Sequence, residues 1–183
     1  ICATEVDTET GMVKIRKYAC VDDIGKIVNP LIVEGQVHGG LAQGIAQALY
    51  EEAVYDADGN LTTGTFVDYL VPSAADLPHF DTGNTVHEAP GNPIGAKGVG
   101  EAGCIASTPA VVNAAIDAVR HLGVSDIRMP LTPEIDLSSP RLELVREAGA
   151  ELEVHQVIAL AVIDVAERAS FDHRLRLEPV WRE

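Results

Sequence analysis

"DDIGKIVNPLIVEGQVHGGLAQGIAQALYEE", residues 22–52, decides how the rest of the chain is read. It passes from a strand pattern through "NP" into helical spacing. Pro30 suits the first turn of a helix, where its fixed φ fits and its missing N–H is not needed. The predicted helix over residues 31–52 carries Gly35, Gly39, Gly40 and Gly44. Each costs about 1 kcal/mol relative to Ala in a helix interior. A helix that keeps such residues lets something approach its backbone closely.

Working outward, residues 1–8 and 12–24 alternate β-branched and polar residues around "TETG", the pattern of a hairpin. "VYDADGNLTTGTF" predicts a second hairpin turning at Asp58-Gly59-Asn60. Residues 66–91 read as a loop with a strand near 79–87. "NPIGAKGVGEAGCIASTP", residues 92–109, is a glycine-rich turn running into one or two helices over 101–121. Pro109 is expected to start the second of these, capped by Ser107 or Thr108, with Gly123 beyond its end. "VSDIRMPLTP" reads as a short strand and a stop. After Glu134 the composition changes: Gly149 is the one later glycine, lysine is absent and arginine replaces it. Residues 134–183 are therefore expected to be a tail of atypical composition, foreign to the fold, with "EVHQVIALAVIDVAERA", 153–169, open to a helix. The predicted class is α+β.

The chain has 183 residues, of which 46% are hydrophobic, so it can bury a core. Its net charge of −15 argues against nucleic acid as a partner. Cys2, Cys20 and Cys104 form no pair or Cys/His cluster with zinc spacing, so no structural metal site is expected. The odd cysteine count and the lack of a signal-like start point to the cytoplasm. No apolar run is read as long enough to span a membrane. The chain opens inside a strand pattern, which suggests a piece of a larger protein.

Three groups of residues are candidates for chemistry. Glu101 follows a glycine-rich turn whose backbone N–H groups suit an anionic ligand. It is equally readable as an ordinary first-turn carboxylate that complements a helix dipole. Lys97 can offset ligand charge or simply be a solvated loop lysine. Gln36, between glycines, can offer a heterocycle both donor and acceptor, although glycines also make room for a neighbouring helix. His38 is more often a packing residue than a base or ligand. Asp22 and Asp23 point to opposite faces of a strand, so turn or cap roles suit them better than a catalytic pair.

The stretch 22–52, followed by "NPIGAKGVGEAG" and "MPLTPE", resembles the C-terminal part of the molybdenum-binding large subunit of the xanthine oxidase family. The nearest likeness is to aerobic carbon monoxide dehydrogenase-type subunits. The resemblance covers residues 1–133 and implies a partial molybdenum-binding domain. It implies a molybdenum–molybdopterin cofactor in its cytosine dinucleotide form, with Glu101 beside the metal as general base. Lys97, Gly98, Val99 and Gly100 match the cofactor-lining loop, and Gln36 matches a glutamine near the pterin. The implied reaction hydroxylates a small substrate with water as oxygen source. Electrons then leave through iron–sulfur clusters and FAD on partner subunits.

Family large subunits are several times longer, and the implied partners include the remainder of that subunit. In the carbon monoxide enzymes an upstream loop carries a copper-binding cysteine to which nothing here corresponds. The rival expectation is a cofactor-free structural or interaction module that keeps the fold.

Overall fold

The computed structural model describes residues 1–133 apart from residue 9, together with the backbone of Ala159–Ala161. Strands β1 (Cys2–Val6) and β2 (Val13–Asp23) form the expected hairpin, paired antiparallel from Cys2↔Tyr18 to Val6↔Val13. Strand β3 (Phe80–Thr85) joins β2 in parallel, Tyr18 opposite Phe80 and Asp23 opposite Thr85. A parallel pair needs a crossover rather than a tight turn, and residues 24–79 supply it. Strand β4 (Ala159–Ala161) pairs antiparallel with β1, giving the sheet order β3-β2-β1-β4.

The crossover contains the long helix α1 (Pro30–Leu49). Asn29 caps it, accepting the Ile32 N–H on its side-chain oxygen at 3.3 Å, and Pro30 opens it as expected. The predicted second hairpin is a small one, closed by a single bridge between Tyr55 and Leu61. Its turn is organised by Asp56, whose carboxylate accepts the backbone N–H groups of Asp58 and Asn60.

Residues 101–121 form two helices, α2 (Ala102–Ile105) and α3 (Ser107–Val119), followed by a 3-10 turn (Arg120–Leu122) ending at left-handed Gly123. The second helix begins at Ser107 rather than at Pro109, and neither hydroxyl caps it. Ser107 donates instead to the Leu41 carbonyl at 3.1 Å, and Thr108 to the Gly44 carbonyl at 3.0 Å. Tertiary contact to α1 has taken the groups that local capping would have used. Helix α3 lies against β1 and β4, and α1 packs on α2 and α3. Leu41, Ile45 and Val111 are fully buried between them, with Ala48, Ala110, Ala114 and Ala115. Burying each of the large aliphatics contributes about 1.5–3 kcal/mol.

Three expectations are corrected. Residues 124–133 form no strand; the segment crosses a cis Met129–Pro130 bond and is tied down by Leu131 N–H donating to the Ala48 carbonyl at 2.7 Å. Within 153–169, Ala159–Ala161 is strand and not helix, because the free edge of β1 offers it hydrogen bonds; the rest of the tail lies outside the described residues. Finally, the 21-residue stretch Ala102–Leu122 is long and apolar enough by composition to cross a membrane. Its apolarity has another use here: the stretch breaks at Ala106, and Gly103, Ser107, Ala110, Val111, Ala114, Ala115, Ala118 and Val119 are buried in the core.

Candidate functional site

Two glycine contacts hold α2 and the start of α3 against α1. A Cβ on Gly103 would lie 2.5 Å from the Val37 carbonyl oxygen, and one on Gly40 would lie 2.9 Å from the Cys104 nitrogen. A Cβ on Gly44 would lie 2.4 Å from that of Ser107. Half of the glycine run in α1 therefore serves close helix packing.

The other half does not. A Cβ on Gly35 or Gly39 would meet nothing within 4 Å. Gln36 sits between them and is exposed. The docking of α2 brings the "KGVGE" loop to this face: a Cβ built on Gly100 would sit 4.0 Å from Gln36 Oε1. Gly98 is likewise open, and Val99 turns inward to pack on the core. Gln36 and Gly100, far apart in sequence, thus meet at one open surface of bare backbone and one side-chain amide.

Glu101 ends this loop. Its carbonyl accepts from Cys104 N–H at 3.0 Å and Ile105 N–H at 3.2 Å. Its side chain makes no capping hydrogen bond, is exposed, and has no ion-pair partner among the described residues. The helix it precedes is four residues long, too short to build much of a dipole for a first-turn carboxylate to complement. Glu101 is thus a carboxylate held in place by its backbone and left uncommitted at its tip.

Lys97 is committed elsewhere. Its Nζ lies 2.7 Å from Asp23 Oδ2, so its charge is paired within the chain. Asp23 was expected in a turn, and it does accept the Gly25 N–H at 3.0 Å. It also accepts the His87 N–H at 3.1 Å, and together these donors hold its carboxyl down at about 2, the Lys97 ammonium being the largest influence. The lysine partnership is 74 residues away in sequence, beyond the reach of any local signal.

His38 is a packing residue. Its ring meets Phe80 edge-on at 5.6 Å, and its Nε2 is shielded from solvent with no hydrogen-bond partner among the described residues. Burial, and then the Asp22 carboxylate that its thiol donates to at 3.1 Å, push Cys20 up to about 12; burial does the same to Cys2. Neither is a ready thiolate. No group of three or more His, Cys, Asp or Glu side chains converges to hold a metal among the described residues.

Comparison with known proteins adds to this geometry. The molybdopterin cofactor-binding domain family matches residues 1–78. The carbon monoxide dehydrogenase large chain of Hydrogenophaga pseudoflava is 43% identical over 132 residues, 72% of this chain and 16% of that one. The structure of carbon monoxide dehydrogenase from Oligotropha carboxidovorans superimposes with a TM-score of 0.70 at 39% identity, over 80% of this chain and 18% of that one. Quinoline 2-oxidoreductase from Pseudomonas putida 86 gives 0.69 at 42% identity, over 72% and 17%. The chain thus spans 16% to 18% of the length of these relatives. The open face fits a pterin-type ligand: Gly35, Gly39 and Gly98 leave room for close approach to backbone, and Gln36 offers amide hydrogen bonds to a polar ring edge.

Proposed function

Because the chain belongs to the molybdopterin-binding large subunits of the carbon monoxide dehydrogenase and xanthine oxidase family, we propose that it is part of the cofactor-binding wall and supplies the general base of a molybdenum hydroxylase. The observation that carries this reading is the free Glu101 carboxylate at the end of a bare-backbone loop that borders Gln36. Gln36 and the backbone of Gly98, Val99 and Gly100 would hold the pterin, most simply in its cytosine dinucleotide form. Lys97 contributes indirectly, through its ion pair to Asp23.

When bound, the cofactor supplies two-electron oxidation of a small substrate with water as oxygen source. The work of this chain's residues is narrower. Glu101 would supply a proton acceptor beside the bound cofactor, and a positioned base of this kind contributes about 10²–10⁴-fold. Among the described residues no cation pairs with it, so its tip is not committed to another group. The glycine backbone excludes side chains from the ligand's path, and Gln36 fixes its orientation. On this reading the remainder of a large subunit, an iron–sulfur subunit and a FAD subunit complete the enzyme and carry electrons away. Its setting is the cytoplasm.

The test is to purify the complete assembly containing this chain, measure molybdenum and pterin, and compare it with Glu101→Gln. The proposal expects stoichiometric cofactor in both and turnover lowered at least about 10²-fold in the variant. Undiminished turnover in a metal-replete Glu101→Gln assembly would end it. An assembly devoid of molybdenum and pterin would favour a structural module instead.

A further inference from the structure

The segment from Lys97 to Glu101 contains Gly98, where an added Cβ would meet nothing within 4 Å, and Gly100, where it would meet only Gln36 Oε1 at 4.0 Å. Such a segment is placed by what fixes its ends. At the far end, Gly103 is pressed against Gly40 and Val37 of α1. At the near end, Asp23 gathers three pieces of chain. One carboxylate oxygen accepts the Gly25 N–H at 3.0 Å and the His87 N–H at 3.1 Å. The other accepts Lys97 Nζ at 2.7 Å. The backbone repeats the link: Lys97 N–H donates to the Ile24 carbonyl at 2.9 Å, and Lys26 N–H donates to that of Gly95 at 3.0 Å. The fit is close because residue 25 lacks a side chain; at its φ of +63° a Cβ would lie 2.3 Å from the Gly95 oxygen and 3.2 Å from Lys97 Cγ.

From this geometry we propose that Asp23, through Lys97, is the positioning residue of the Glu101 loop. It sets where the carboxylate and the pterin-facing glycines stand, without touching substrate or cofactor. The lysine's charge is used to anchor the loop to the end of β2 and not to bind an anion. The assignment of purpose rests on the catalytic reading of Glu101; the tether itself does not.

The experiment uses the complete assembly with Asp23→Asn, Lys97→Met and Lys97→Arg. Amide hydrogen exchange is followed separately over residues 96–101 and over residues 41–48 of α1, alongside kcat, KM and cofactor content. Asp23→Asn and Lys97→Met should each speed exchange severalfold in 96–101 and leave α1 unchanged. They should lower kcat by about tenfold or more with KM and cofactor content steady, since a misplacement of about 1 Å can cost on the order of 10²-fold. Lys97→Arg keeps a donor cation and should keep the loop's protection. Unchanged exchange in 96–101, or exchange that rises equally in α1, would overturn the proposal, as would Lys97→Arg exposing the loop as much as Lys97→Met. If Asp23→Asn does not assemble, Lys97→Met decides, because it leaves both backbone hydrogen bonds to Asp23 in place. A loosened loop together with undiminished turnover in Glu101→Gln would retain the tether and discard the catalytic reading.

Discussion

Two pairs of glycines lie on one helix in opposite surroundings. Gly40 and Gly44 are pressed against α2 and α3, where an added methyl group would collide with backbone or with Ser107. Gly35 and Gly39 face open space, beside Gln36 and the Glu101 loop. The residue type is the same and so is its cost to the helix, roughly 1 kcal/mol per glycine. On the closed side that cost is offset by close helix packing. On the open side no neighbour among the described residues offsets it, and the proposed ligand would.

The sharpest way to break the comparison is Glu101→Gln, on the open side. It should lower turnover of the assembly by at least about 10²-fold, near 3 kcal/mol of transition-state stabilisation by the usual conversion, while the melting temperature stays put. A substitution on the closed side should do the reverse. Gly103→Ala places a Cβ 2.5 Å from the Val37 carbonyl oxygen, a backbone atom that cannot rotate away. Overpacking of this kind costs about 1–3 kcal/mol, readable as a lower denaturation midpoint. Wild-type stability in Gly103→Ala would mean that the helix contact is looser than described.

Smaller effects sharpen the contrast. Gly39→Ala meets no neighbour and should stabilise the chain by about 0.5–1 kcal/mol. If the open face holds the pterin, the same change should reduce cofactor retention in the assembly. A stabilised variant with full molybdenum content would remove Gly39 from the cofactor wall.

The smallest effect concerns acid. Asp23 has its carboxyl lowered from an ordinary 3.8 to about 2 by Lys97 and two backbone donors. A depressed carboxyl stabilises the fold above its unfolded value and loses that contribution as pH falls through the folded one. The difference in melting temperature between wild type and Asp23→Asn should therefore be constant from neutral pH down to about 5 and should close between about 4 and 2. Asp23 is one-third exposed, so its ion pair contributes at most about 1 kcal/mol. A gap that persists at pH 2 would show that the charge is not what matters.

Much of this was legible beforehand because it is local. The β1–β2 hairpin, the start of α1 at Asn29-Pro30, the small turn at Asp58-Gly59-Asn60 and the strand β3 all follow from short-range chemistry of turns, caps and alternation. The misread elements are those where a distant partner overrode a local signal. Ser107 and Thr108 have capping chemistry but serve α1. Residues 124–133 read as a short strand but pair with no strand among the described residues, and Leu131 docks on Ala48.

The sequence by itself determined that Glu101 ends a glycine-rich loop, that α1 is rich in glycine and that two long motifs stand in a family's order, since each is a matter of residue identity and spacing. Tertiary structure alone decided which glycines of α1 are closed and which are open, because that depends on where α2 docks. It also decided that Lys97 belongs to Asp23, because a short-range ion pair between residues 74 positions apart exists only once β2 and the loop have been folded together.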